Sequence, residues 1–257
     1  MIDPNDPRTG SPDEVLRRPE TLGVLGGMGP LATVDFLAKV IERSKAQWDW
    51  QQLPIVTGVW PQVPDRVTAL TVPGAPSPAP SLIACAQTLI AAGARSIAMP
   101  CNTIHCWYDE LAAAVDVPVF HIVDEAIRRF PEGTGKVGLM ATRGTLEAGL
   151  YQERLAAAGI ECIEPSPEVL HEALLPAIGA VKRHNLKEAT HLFEATARHL
   201  LASADTIVLA CTDLPPLLRY ADPHLDAAWV DTNDTLAAAC VQWAHATRAS
   251  SPWYEQG

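Results

Sequence analysis

Two short runs carry residue types able to do chemistry. Cys101-Asn102-Thr103 follows the apolar stretch Ile97-Ala98-Met99-Pro100, and Cys211-Thr212-Asp213 follows Ile207-Val208-Leu209-Ala210 about 110 residues later. A helix N-terminus just beyond a thiol lowers its pKa, so either cysteine is expected to be partly thiolate near neutral pH. Two thiols facing each other across a carbon suit taking a proton from one face and returning one to the other. That is racemisation by two bases, with one thiolate, one thiol, and roles that exchange with the enantiomer. An amino-acid α-proton is very weakly acidic, so the site must also hold an enolate-like carboxylate on fixed donors. Asn102, Thr103 and Thr212 adjoin the thiols and can supply them; capping the next helix is the competing role, and both can hold at once. The competing reading of each cysteine is a small buried hydrophobe. The matched positions favour chemistry for Cys101 and Cys211, whereas Cys85, Cys162 and Cys240 sit in apolar patterns and read as packing.

The elements that must position these residues are legible as an alternation. Strands are expected at 21–26, 54–60, 96–100, 118–122, 136–141, 206–210 and 228–231, and helices at 31–47, 80–92, 104–115, 145–158, 167–183, 186–202 and 232–247. Strand–helix alternation with fully apolar strands predicts parallel sheets covered on both faces. In such sheets ligands bind beyond the carboxyl ends of the strands, where both cysteine motifs lie. The chain also nearly repeats itself: Gly23-Val24-Leu25-Gly26-Gly27-Met28-Gly29 has the grammar of Gly138-Leu139-Met140-Ala141-Thr142-Arg143-Gly144, at nearly the offset of the cysteine motifs. Two similar α/β domains follow from this. The first covers 21–117 with 226–248, so that the last helix returns to it, and the second covers 118–225. A disordered leader is expected over 1–20, a flexible tail over 249–257, and a long functional loop from Val63 to Ser81.

Gly26-Gly27-Met28-Gly29-Pro30 forms a turn whose backbone N–H groups can approach an anion, with a plain tight turn as the alternative. It is neither G-x-G-x-x-G nor a Walker A loop, so no nucleotide is expected. Met28 and Gly29, and Thr142 in the counterpart turn, are expected to face the substrate. A net charge of −11 argues against nucleic acid as a partner. No run approaches a membrane span, and the polar, proline-rich start is no signal peptide, so the expectation is a cytoplasmic protein without membrane contact. The six cysteines form no C-x-x-C pair, and Cys101, Cys106 and His105 lack a second ligand pair, so neither a disulfide framework nor a metal site is expected.

Taken together, Leu25-Gly26-Gly27-Met28-Gly29-Pro30, Pro61-Gln62-Val63-Pro64-Asp65-Arg66, Met99-Pro100-Cys101-Asn102-Thr103 and Ala210-Cys211-Thr212 resemble the aspartate racemase branch of the aspartate/glutamate racemase family. The resemblance runs in order from about residue 21 to about residue 245. It implies an α/β chain of two pseudo-symmetric Rossmann-like domains with mainly parallel sheets, and the active site in the cleft between them. It further implies an isomerase that works without pyridoxal phosphate or metal, acts on a small acidic amino acid, and is usually a homodimer. Cys101 and Cys211 would be its proton donor/acceptors. Arg66 would bind a substrate carboxylate, Asn102, Thr103 and Ile104 would line the α-carboxylate site, and Lys182 matches the second basic residue for the distal carboxylate. Arginine suits such a role because its planar fork binds both oxygens.

Asp213 departs from the pattern, since aspartate racemases usually carry Glu there and glutamate racemases His. It can orient Cys211, accept the substrate ammonium, or cap the following helix. Glutamate racemases also open with Asp-Ser-Gly, absent here, which favours aspartate. His105 and Glu147 are further candidates, with helix-surface positions as the competing reading. Alternatives that keep the fold are a glutamate or broad-specificity amino-acid racemase and a maleate isomerase. A single-thiol decarboxylase is disfavoured by the presence of both cysteines. A non-catalytic acidic amino-acid sensor would not need two thiols, and a Cys101–Cys211 redox pair would need them closer than a substrate between them allows.

Overall fold

The computed structural model describes residues 16, 18–225 and 227–250. Most of the expected leader and tail therefore lies outside the described residues. Residues 18–20 do not behave as a leader: Glu20 is fully buried, and Arg248 donates to its carboxylate at 3.1 Å.

The first half runs β1 (Leu22–Gly26), α1 (Pro30–Ser44), β2 (Ile55–Val59), α2 (Arg66–Thr71), α3 (Ala79–Ala91), β3 (Ser96–Ala98), a 3-10 turn (Thr103–Trp107), α4 (Tyr108–Ala113) and α5 (Ile122–Ile127). The second runs β4 (Lys136–Ala141), α6 (Arg143–Glu147), α7 (Gln152–Ala157), β5 (Glu161–Ile163), α8 (Pro167–Val169), a π turn (Leu170–Leu174), α9 (Leu175–Lys182), α10 (Leu186–Leu201), β6 (Thr206–Ala210), a 3-10 turn (Pro215–Arg219), β7 (Ala228–Asp231) and α11 (Thr232–Ser250). All strand pairs are parallel, in the orders β2-β1-β3 and β5-β4-β6-β7. β1 and β6 are buried at every position because helices cover both faces, which is why they read as continuous apolar runs.

The duplication goes deeper than the motifs. Val119 bridges Ile97 beside β3, as β7 pairs beside β6, and a helix follows each, α5 and α11. Two boundaries move as a result. The segment 118–120 joins the first sheet, and β7, expected with the first domain, belongs to the second. α11 packs on α1 and α5, and one apolar cluster joins Leu22, Val24, Phe36 and Val40 to Val137, Leu139, Val208 and, from α11, Leu236 and Cys240. The halves thus share a core.

Local chemistry explains the other differences. The stretch from Val63 to Ser81 is no continuous loop, because Asp65 caps α2, accepting from the Thr68 N–H and hydroxyl at 2.8 Å each. The expected helix 145–158 breaks at Gly149, whose φ of +65° suits glycine. The strand expected at 118–122 ends early because α5 starts at Ile122, with His121 at its N-cap position. β5 was too short and too polar to register as a strand. α11 continues to Ser250, so 249–250 are helical rather than tail.

Candidate active site

β3 ends at Ala98 and β6 at Ala210, so Cys101 and Cys211 emerge at the carboxyl ends of the two sheets. Both line one cleft between the halves, with Met28, Arg66, Asn102, Thr103, Thr142, Lys182, Thr212 and Asp213. Two expected residues do not line it. Ile104 buries its side chain among the apolar residues of the first half, and only its backbone N–H reaches the Cys101 thiol. Gly29 lies against Asp213, where an added Cβ would stand 3.2 Å from Oδ1. Asp65, Val67 and Ala210 complete the lining; adjacency to Arg66 and Cys211 was the available signal for them.

The first-half loop is tied to the second half at successive positions. The Thr212 hydroxyl donates to the Pro100 carbonyl at 3.1 Å. Asn102 Nδ2 donates to Thr232 Oγ1 at 3.1 Å, while the Tyr151 hydroxyl donates to Asn102 Oδ1. Thr232 in turn donates to the Leu209 carbonyl at 2.9 Å. The hydroxyls of Thr103, Thr142 and Thr145 form a triangle with 2.9–3.0 Å edges. Asn102 therefore does not cap a helix; its side chain is spent on joining the halves, which leaves backbone donors to face a ligand. Sequence reading missed Tyr151, Thr145 and Thr232, whose partners lie far away in the chain.

The thiols differ from expectation. Each is followed by a five-residue 3-10 turn rather than a long α-helix, so little macrodipole reaches it. Burial dominates instead and pushes both thiols up. Arg66 is the leading influence opposing this at Cys101, whereas the Asp213 carboxylate pushes Cys211 further in the same direction. Asp213 is itself raised by burial, against the pull of Lys182 and Arg66.

Lys182 Nζ stands 3.8 Å from Asp213 Oδ2 and is more than half exposed. Arg66, at the start of α2, makes only long hydrogen bonds among the described residues, to the Val63 and Pro64 carbonyls at 3.4 and 3.5 Å. Its guanidinium is thus poised for a better acceptor. The cleft is narrow, with a volume of about 30 Å³. α2, whose first residues line the cleft, rests on α6, where a Cβ on Gly144 would stand 3.1 Å from Leu70 Cδ1 and 3.4 Å from Val67 Cα. Glu147 is exposed and pairs with Arg143 at 2.7 Å outside the cleft. His105 is not on the surface but buried behind Cys101. Among the described residues no group of three or more His, Cys, Asp or Glu could hold a metal, and no helix is long and apolar enough to cross a membrane.

The Asp/Glu/hydantoin racemase family model matches residues 25–240, which spans both motifs and both sheets. The chain belongs to that family. Its relatives include the broad-specificity amino-acid racemase RacX of Bacillus subtilis, 30% identical over 227 residues, covering 86% of this chain and 96% of the relative. Among solved structures, the Picrophilus torridus aspartate racemase superposes with a TM-score of 0.78 at 26% identity, covering 91% of this chain and 99% of that one. The Francisella tularensis glutamate racemase in complex with D-glutamate shares the fold, with a TM-score of 0.62 at 16% identity over 93% and 84% of the two chains. As a racemase of this family the chain is an isomerase, and its two parallel-sheet halves are those of the family fold.

Proposed function

We propose that this racemase interconverts L- and D-aspartate by two-base proton transfer between Cys101 and Cys211. The observation that carries the reading is the arrival of one buried thiol from each half in a single cleft, with an under-used arginine at its wall. One thiolate takes the α-proton and becomes a thiol. The electron pair left on the carbon delocalises into the carboxylate, held by backbone donors of the Asn102–Thr103 turn. The opposite thiol then delivers its proton to the other face and becomes the thiolate, so protons and charge balance over a turnover. Arg66 binds the distal carboxylate through its fork, assisted by Lys182. The reading calls on no group beyond the chain itself, and it retains a cytoplasmic homodimer as its setting.

Binding also has to activate the thiols, since burial holds them protonated in the cleft. Closure of α2 around a carboxylate would bring Arg66 and the substrate ammonium into a site that excludes water, where their fields act strongly on a thiolate. A second reading, broad specificity, is favoured by one feature: Asp213 partly neutralises Lys182, which weakens the demand for a second substrate carboxylate.

The test is proton NMR in D2O without added cofactor, offering L-Asp, D-Asp, L-Glu, D-Glu and L-Ala separately, with chiral analysis of products. Loss of the α-proton signal with accumulation of the opposite enantiomer, fastest for aspartate, is expected. Equal rates for alanine would move the assignment to broad specificity. Intact α-protons throughout would sink the racemase reading, as would Cys101→Ser or Cys211→Ser variants that racemise at the native rate.

A further inference from the structure

Behind Cys101, outside the cleft lining, lies a buried imidazole that no part of the proposed reaction uses. His105 Nδ1 is 2.8 Å from the Cys101 carbonyl oxygen, and the Ile122 N–H points at Nε2 from 3.1 Å. A carbonyl only accepts and an amide N–H only donates, so the two shorter contacts set the tautomer: Nδ1 carries the proton and Nε2 accepts, the Phe120 carbonyl at 3.4 Å from Nε2 being the longest of the three. Burial keeps the ring neutral, its pKa depressed to about 4. The ring lies nearly parallel to Tyr108 and meets the edge of His121 at a centroid distance of 5.0 Å. Arg154 from α7 donates to His121 at 3.0 Å and pairs with Asp124 at 2.8 Å, which anchors the second wall.

The two thiols are not supported alike. At the duplicated position the second half has Pro215, which offers no side-chain donor, and the Cys211 carbonyl instead accepts the Leu214 N–H at 3.0 Å within its own turn. The Cys101 carbonyl is held by a side chain of its own turn, and that ring is clamped to the start of α5. Each turn presents a backbone N–H to its own sulfur, Ile104 to Cys101 and Asp213 to Cys211, so the imidazole clamp is what sets them apart.

We propose that His105 is a positioning residue for one thiol only: by holding the Cys101 carbonyl against α5 it sets the turn that aims Cys101 at the substrate, while Cys211 is independent of it. This rests on the two-thiol reading above. Loss of the imidazole donor lets the turn rotate, which costs about ten- to a hundredfold in rate. The equilibrium between enantiomers fixes the ratio of their kcat/KM values, so both directions fall together. Primary isotope effects separate the thiols. With Cys101 impaired, the effect on kcat/KM from α-deuterated substrate rises for the enantiomer whose proton goes to Cys101. It falls toward unity for the other enantiomer, whose reprotonation by Cys101 then limits the rate.

The variants are His105→Asn, whose amide replaces the Nδ1 donor, His105→Gln, whose amide reaches the Nε2 position, and His105→Leu. We expect His105→Asn to stay near native, and His105→Gln and His105→Leu to lose rate with isotope effects that diverge between enantiomers. Should His105→Leu not fold, the Asn and Gln pair carries the comparison. Iodoacetamide alkylation followed by peptide mass spectrometry gives a readout independent of turnover: several-fold slower labelling of Cys101 in His105→Gln, and unchanged labelling of Cys211. Isotope effects that move together in both directions, or labelling that changes equally at both thiols, would overturn the proposal. A wild-type protein with no α-proton exchange would overturn the two-thiol reading instead, and the labelling pattern would still decide whether His105 governs Cys101 alone.

Discussion

Arg66→Ala is the perturbation with the most specific expected outcome. The guanidinium is half-buried at the start of α2, held among the described residues by two carbonyl contacts of 3.4 and 3.5 Å. Removing it should cost the fold within about 0.5 kcal/mol, as for a substitution away from the core. A substrate carboxylate in the closed cleft would lose a charge-assisted, two-pronged partner and be left poorly satisfied. Truncating one member of such a pair costs about 2–5 kcal/mol; taking 3, kcat/KM for aspartate should fall roughly a hundredfold. Arg66→Lys keeps the charge but not the fork, and should fall between, about tenfold down. Arg66 is also the leading group opposing burial at the Cys101 thiol, so its loss should move Cys101 alkylation to higher pH. The assay is initial-rate racemisation by circular dichroism with aspartate and alanine in parallel, alongside thermal melts. Equal fractional losses for the two substrates would refute the assignment of Arg66 to the distal carboxylate. A fall in Tm large enough to account for lost activity would refute the claim that the residue serves binding rather than folding.

Asp213→Asn should release Lys182, raising the preference for aspartate over alanine by about 1 kcal/mol, or roughly fivefold, since the pair is partly exposed. The same change removes the carboxylate that raises the Cys211 thiol, so alkylation of Cys211 should shift to lower pH; an upward shift would contradict the electrostatic account. Gly144→Val should wedge α2 from α6, where even a methyl is crowded at 3.1 Å, raise KM several-fold and lower the melt by an overpacking cost of about 1–3 kcal/mol; an unchanged KM would mean the α2–α6 contact does not shape the site. Acid should destabilise the fold through His105: the unfolded imidazole takes a proton below about 6.5 and the native one only below about 4, so stability falls as pH drops across that window. The integrated contribution is on the order of 3 kcal/mol. Denaturant melts of wild type and His105→Asn between pH 7 and pH 4 should converge as pH falls; a constant gap would mean the native ring is already charged.

Much of this was legible in the chain because it depends on local chemistry. Apolar runs such as 136–141 and 206–210 bury both faces of a parallel strand whatever their neighbours, and the repeated Cys101 and Cys211 motifs announced a duplicated core with thiols at strand ends. The cleft then gathered ten of the twelve expected site residues. What failed locally did so through short, polar or capped elements. The α2 cap at Asp65 is hidden between prolines, and β5 has only three residues.

The residue types, the doubling of the sheet and the order of its motifs follow from sequence alone, since hydrophobic period and Gly or Pro placement act over a few residues. Tertiary structure alone decided what those residues experience. A thiol's acidity depends on burial and on charges brought from elsewhere, so Cys101 and Cys211 came out raised where a helix terminus was expected to lower them. Asn102 became a strap between halves because Tyr151 and Thr232 arrive from distant chain. His105 turned from a surface candidate into a buried support, because Ile122 and the Cys101 carbonyl meet its two nitrogens only once α5 is docked.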